Sequence, residues 1–225
     1  MSARSGIINL TEAYVKVLLI NGSPHKSGCT YTALSEAANI LNAEGIETEI
    51  VWIGNKPISG CIACRACVKL KKCVIDDIVN EVRPKCYEAD GFIFGSPVHF
   101  GAITGGMTSF MDRLLYSELR GNDNAAFYLK PTAAVISTRR AGATAAVEQM
   151  MNYFLLRQMP VITTRYWPIV HGTTPDEVMQ DLEGVHSVRT MAKNMALFLK
   201  CKQAGIAAGV KPPELEPHPL TNFIR

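Results

Sequence analysis

The sequence predicts an α/β domain built on a doubly wound, five-stranded parallel sheet with a Pro-rich C-terminal tail. Three observations carry that reading. Short apolar or β-branched runs alternate five times with helical patterns, and every parallel crossover needs a helix. A length of 225 residues suits one large domain with extensions. No internal repeat or low-complexity tract breaks the alternation. The expected boundaries are a lead-in over 1–15, a body over 16–202 and an extension over 203–225.

Met1 to Tyr14 reads as a polar lead-in. Val17-Leu18-Leu19-Ile20 has the length and character of a buried strand. It breaks at Asn21-Gly22-Ser23-Pro24, a dense turn signal. A helix follows with Leu34, Ala37, Ala38 and Leu41 on one face, closed by Glu44-Gly45. Glu49 to Ile53 is the second strand, and Gly60 to Cys73 a cysteine-bearing loop. Asp76-Asp77 starts a helix over Ile78, Val79 and Val82, acidic residues suiting a first turn. Gly91 to Gly95 is the third strand, running into a loop over Ser96 to Gly101. The next helix carries Met107, Phe110, Met111, Leu114 and Leu115 as one apolar stripe. Thr132 to Ser137 is the fourth strand, followed by Thr138 to Gly142 and a helix over Val147, Met150, Met151 and Phe154. Pro160-Val161-Ile162 begins the fifth strand, leading toward Trp167 and His171. Thr174-Pro175-Asp176-Glu177 is a capping box opening one last helix over Val178, Leu182, Val185, Val188, Met195 and Leu199. Beyond Gln203 the prolines stiffen the tail, and Leu215, Leu220, Phe223 and Ile224 are expected to pack on a neighbouring subunit.

A hydrophobic content of 48% with 19% charged residues is that of a globular chain with a sizeable core. A net charge of +3, with no basic block beyond Lys69-Leu70-Lys71-Lys72, gives no footprint for nucleic acid. No run is long and apolar enough to span a membrane, and the first fourteen residues hold no secretory h-region. Seven cysteines without such a leader favour reduced thiols or metal ligands, and a cytoplasmic location.

The strand–loop–helix from Lys16 to Leu34 organises the chemistry. A helix N-terminus offers free N–H groups and partial positive charge to a phosphate. Ser23, Ser27 and Thr30 add hydroxyls there, His25 and Lys26 add further donors, and Cys29 sits among them. The glycine and lysine spacings fit neither the P-loop nor the dinucleotide fingerprint. The pattern G-S-P-x-x-x-G-x-T after a strand resembles instead the phosphate loop of flavodoxin-like FMN proteins, in particular the NAD(P)H-dependent FMN reductases and iron–sulfur flavoproteins. That resemblance implies strand order 2-1-3-4-5, with FMN at the switch point between strands one and three.

Three loops should then converge on one ligand. Ser96-Pro97-Val98-His99-Phe100-Gly101 resembles the family's ring-binding loop. Pro97 fixes the backbone, Gly101 permits close approach, and His99 and Phe100 offer flat surfaces to a flavin. The loop after strand four, with Ser137, Thr138 and Gly142, is where the family carries small residues near the pyrimidine edge. Here Arg139-Arg140 stands in it, and by resemblance one arginine would favour negative charge on the reduced ring.

Cys61, Cys64, Cys67 and Cys73 read C-x2-C-x2-C-x5-C, four thiols that can wrap one cubane cluster. The spacing resembles the compact motif of the iron–sulfur flavoproteins and departs from the bacterial ferredoxin run. Arg65, Lys69, Lys71 and Lys72 flank it and offset thiolate charge. A zinc site or metal-free thiols are the alternatives. A [4Fe–4S] cluster here is expected on the sheet edge that also carries the flavin. Cys86 and Cys201 read as small core hydrophobes.

The resemblance therefore implies an FMN-dependent oxidoreductase. NAD(P)H or a redox protein would be the donor, a small molecule or redox protein the acceptor, and the assembly a homodimer or homotetramer. A non-enzymatic flavin electron carrier or redox sensor is the alternative, separated from an enzyme by steady NAD(P)H turnover. No other catalytic constellation is visible.

Overall fold

Val17, Leu18, Leu19 and Ile20 are wholly excluded from solvent, as a central strand covered on both faces requires. In the computed structural model, which describes residues 15–214, they form β1 (Lys16–Asn21). There follow α1 (Cys29–Ala43), β2 (Glu47–Trp52), a short α2 (Cys67–Leu70), α3 (Ile78–Glu88), β3 (Gly91–His99), β4 (Ala102–Ile103), α4 (Gly105–Asn122), β5 (Thr132–Thr138), α5 (Ala143–Leu156), β6 (Ile169–His171), α6 (Pro175–Gln180) and α7 (Leu182–Ala207).

The sheet runs β2-β1-β3-β5-β6 with every neighbour parallel, and β4 pairs antiparallel with β3 off the end. With β4 set aside, this is the expected 2-1-3-4-5 order. Alternation along the strands builds two cores. Leu18, Ile20, Phe92, Phe94 and Ile136 face α3, α4 and α5. Val17, Leu19, Ile93, Val135 and Val170 face α1 and α7. The stripe Met107, Phe110, Met111, Leu114 and Leu115 is buried as its spacing requires.

Three expectations need correction. The segment Ser96 to Gly101 is not all loop. β3 continues to His99 because β4 pairs with it, Val98 opposite Ile103 and His99 opposite Ala102, leaving a turn at Phe100-Gly101. The fifth strand does not begin at Pro160. Val161 makes one isolated bridge to Thr132, the chain is irregular to Pro168, and the parallel strand is Ile169–His171. Pro160 and Pro168 lack the N–H that a ladder needs. The last helix is two, divided at Asp181 (φ −75°, ψ 77°). Its Oδ1 accepts from Gly184 N at 2.9 Å, capping α7, and its Oδ2 accepts from His171 N at 2.7 Å. α7 runs past 202 to Ala207. The lead-in to Tyr14 and the apolar tail residues Leu215, Leu220, Phe223 and Ile224 lie outside the described residues.

α1 lies so close over β3 that a Cβ on Gly95 would stand 2.8 Å from Leu34 Cδ1 and 2.9 Å from Thr30 Cγ2. Gly95→Ala should therefore lower stability by roughly 1–3 kcal/mol, the usual cost of overpacking. Urea unfolding measures it; an unchanged midpoint would mean that α1 can retreat freely.

Candidate functional site

Asn21, fully buried at the end of β1, shapes the loop after it. Its Oδ1 accepts from Ser23 N at 3.0 Å, and its Nδ2 donates to Lys26 O at 3.1 Å. Ser23 Oγ accepts from His25 N at 3.1 Å. The loop delivers the chain to Gly28, the N-cap of α1, which has no side chain to cap the helix. The first N–H groups of α1 therefore face outward unsatisfied by a cap. They open onto a cavity of about 610 Å³.

Ser23, His25, Ser27, Cys29 and Thr30 line that cavity from the β1 loop, Pro97, Val98 and His99 from β3, and Ser137, Thr138 and Arg139 from the end of β5. The three expected loops converge. Phe100, Gly101, Arg140 and Gly142 do not line it. Phe100 turns at φ 60° and its ring is fully exposed. Gly142 (φ 86°) lies under the β3–β4 turn, where a Cβ would meet Gly101 Cα at 3.1 Å. Thr30 Oγ1 and Ser137 Oγ lie 2.8 Å apart. One proton satisfies that pair, so one hydroxyl keeps a hydrogen to donate into the cavity. Ser23 Oγ, an acceptor from His25, keeps its hydrogen too. Burial pushes the Cys29 thiol up, and the Glu177 carboxylate adds to the rise.

Residues that the sequence reading missed complete the wall: Trp52 at the end of β2 and Asn55 beyond it, Gly172 and Thr173 after β6. Trp52 Nε1 donates to Ser23 O at 2.8 Å, tying β2 to the backbone of the β1–α1 loop. The capping box expected of Thr174 is shifted: Thr174 Oγ1 accepts from Glu177 N, but Glu177 reaches Thr173 N at 2.6 Å and the Thr173 hydroxyl. The capping signature at Thr174 to Glu177 was the visible hint that Thr173 is held.

The cysteine loop departs from expectation. It leaves the carboxyl edge but folds back along α4. Gly60 faces Ser109, Cys73 meets Arg113, and the Cys67 carbonyl lies against Gly121. At about 1.5 Å per residue, Gly121 stands roughly 25 Å along the helix from Thr104. The loop is thus carried down the flank of α4, away from the edge expected to hold both groups. Cys61, Cys64, Cys67 and Cys73 line one pocket, Cys61 and Cys64 exposed, Cys67 buried. Ala63, Arg65 and Lys71 take left-handed turns to bring them there. Among the described residues, no three His, Cys, Asp or Glu side chains converge on one ion. A single zinc ion needs all its donors within about 2.3 Å of one centre, whereas a cubane takes one thiolate at each iron and tolerates wider spacing. The pocket holds only about 20 Å³, so a cluster requires its exposed Cys61–Cys64 side to open.

Arg113, buried with 1% exposure, anchors the other side. Its Nη1 donates to Asp77 Oδ2 at 2.6 Å and Ser59 O at 3.3 Å, its Nη2 to Asp77 Oδ1 at 2.9 Å and Ile75 O at 2.8 Å, and its Nε to Cys73 Sγ at 3.3 Å. One guanidinium therefore ties both ends of the cysteine loop to α4. Burial opposes its charge, and the Asp77 and Cys73 hydrogen bonds outweigh that, holding its pKa above the usual guanidinium value.

The sequence profile described as NADPH-dependent FMN reductase matches residues 15–174. This chain belongs to the NADPH-dependent FMN reductase family. An iron–sulfur flavoprotein of Methanocaldococcus jannaschii is 34% identical over 195 residues, covering 83% of this chain and 98% of its own. An iron–sulfur flavoprotein of Archaeoglobus fulgidus is 31% identical over 201 residues, covering 88% and 98%. Among solved structures, RosB with bound 8-demethyl-8-formylriboflavin-5'-phosphate superposes at TM-score 0.65 over 94% of both chains, with 19% identity. FerB, an NAD(P)H:acceptor oxidoreductase of Paracoccus denitrificans, gives a TM-score of 0.60 over 83% of this chain and 98% of its own, at 14% identity. At these identities the structural likeness shows a shared fold. In this family member the β1–α1 loop and the β3 edge stand where the switch-point rule puts a ligand.

Arg113→Met should destabilise the fold. Asp77 keeps 29% side-chain exposure, so the loss falls near the low end of the roughly 3–5 kcal/mol for breaking a buried pair. Limited proteolysis should then cut between 59 and 75. Unaltered unfolding together with an uncut loop would remove Arg113 from this role.

Proposed function

We propose that this oxidoreductase binds one FMN per chain in the 610 Å³ cavity and uses NAD(P)H or a redox protein as donor. The observation that carries this is the uncapped N-terminus of α1 opening into a cavity walled by the ends of β1, β3 and β5. Ser23, Ser27 and Thr30 with the α1 N–H groups would bind the phosphate. Pro97, Val98 and His99 would orient the ring, and Arg139, at the cavity wall, would face its pyrimidine edge. When bound, the flavin supplies the hydride and electron chemistry; the protein binds, orients and tunes it. Cys61, Cys64, Cys67 and Cys73 would hold a [4Fe–4S] cluster. Supporting it are four thiols on one pocket, the Arg113 N–H on Cys73, and the iron–sulfur flavoproteins among the relatives. The exposed Cys61 and Cys64 favour one-electron exchange with a small-molecule or protein acceptor.

Anaerobic purification should give a yellow protein with one FMN and about four iron and four sulfide per chain. FMN should bind more tightly than riboflavin, and Ser27→Ala should weaken FMN by about 0.5–1.5 kcal/mol. Equal affinity for riboflavin sinks the phosphate assignment, and iron-free protein after reconstitution sinks the cluster. Arg139→Ala should lower the flavin midpoint potential while Arg140→Ala leaves it in place, because only Arg139 reaches the cavity. A redox titration in which the two variants behave alike would remove Arg139 from the site.

A further inference from the structure

α5 buries Ala146, Val147, Met150 and Phe154 in the core, yet its outer face is nearly free of charge. A helix on a domain surface ordinarily turns charged residues to water. α3 carries Glu81, Arg83, Lys85 and Glu88 in its eleven residues, whereas the fourteen of α5 hold only Glu148. The outward positions of α5 are Thr144, Ala145, Glu148, Asn152, Leu155 and Leu156, all exposed. Leu155 keeps 67% of its surface in solvent and Leu156 72%. Beside this face the chain from Val161 to Pro168 runs irregularly along the sheet border and leaves a hollow of about 360 Å³. Half-buried Met151 and Val161 wall it, and Tyr166 and Trp167 stand at its rim, edge to face at 4.5 Å and both exposed. Leu155 follows Met151 by one turn, so the leucines and the hollow form one surface. Leu155, Leu156, Tyr166 and Trp167 leave on the order of 500 Å² to water, over half of the roughly 800 Å² that each partner of a stable pair buries. Glu148 and Arg165 lie exposed on the same surface, and among the described residues neither has an ion-pair partner.

We propose that the outer face of α5 and the hollow beside it are covered by the same face of a second copy of this chain, about a two-fold axis. A two-fold contact needs a surface that complements itself. This one sets projecting leucines next to a recess, so Leu155 of each copy enters the other's hollow beside Met151 and Trp167. It also holds one free carboxylate and one free guanidinium, so the same rotation forms two Glu148–Arg165 pairs. The contact adds no strand to the sheet, whose border here is interrupted at Pro160 and Pro168. The surface shares no residue with the FMN cavity, so assembly is read independently of flavin binding.

The test is sedimentation velocity over a range of concentrations, on full-length protein supplied with FMN. Wild type should sediment as a dimer or a multiple of one. Leu155→Glu, at a position the single chain leaves exposed, should weaken association by about thirtyfold or more without altering the circular dichroism. Glu148→Arg and Arg165→Glu should each weaken it by about tenfold, and the two together should restore it, because the pair is then formed with its signs exchanged. A wild type that stays monomeric overturns the proposal, as does an assembly that Leu155→Glu leaves intact. A double variant that associates no better than the single ones overturns the two-fold arrangement. An assembly lost on truncation after Glu214 but kept in Leu155→Glu overturns it as well, giving the contact to the tail.

Discussion

The close approach of three backbones at Gly22 and Gly95 fixes everything at the carboxyl edge. Gly22 N donates to Gly95 O at 2.8 Å, joining the β1–α1 loop to β3 where the strand ladder has ended. A Cβ on Gly22 would stand 2.6 Å from Met107 Sδ and 3.0 Å from Gly95 O. Thr104 closes the third side. Its hydroxyl donates to Gly22 O at 2.9 Å and accepts from Met107 N at 3.1 Å, so one side chain caps α4 and holds the loop. The walls of the large cavity are therefore set by hydrogen bonds and steric limits, with little freedom to drift independently.

The same helix reaches the cysteine loop. α4 is capped by Thr104 beside the β1–α1 loop, offers Arg113 to both ends of the cysteine loop, and ends where Asn122 Nδ2 donates to Lys71 O at 3.0 Å. Glu118, fully buried one face along, accepts from Arg83, from the Tyr87 hydroxyl at 2.6 Å and from Asn122 Nδ2 at 3.2 Å. That carboxylate, after burial, drives the Tyr87 hydroxyl's pKa up to about 12. Burying Arg113 and Glu118 on one helix is tolerable only because every strong donor and acceptor has a partner. A rigid rod with polar anchors along its length is what relates the two regions.

Much of this was legible in the sequence. The strand runs and the α4 stripe obey periodicities that tertiary packing does not override. What escaped has physical reasons. Arg113 sits in a helix at an apparently ordinary polar position, and nothing in the helical period announces that the cysteine loop will cover it. Trp52, Gly172 and Thr173 belong to the site only through the sheet order, which brings the ends of β2 and β6 to it. Phe100 looked like a ring-stacking residue by type, but β4 pairs with β3 and the turn throws it outward. Pro160 and Pro168 were visible, yet their effect is to shorten a strand whose apolar residues still read as strand.

That shortened strand has a consequence for the molecule in crowded solution. Beyond β5 the sheet ends in only Ile169–His171, and the stretch before it meets Thr132 once. A sheet border with a row of free donors and acceptors is a template for any extended chain that finds it. Here the border is brief and interrupted by residues that cannot donate. Among the described residues, the fold therefore presents no long ledge on which edge-to-edge aggregation could start from this side.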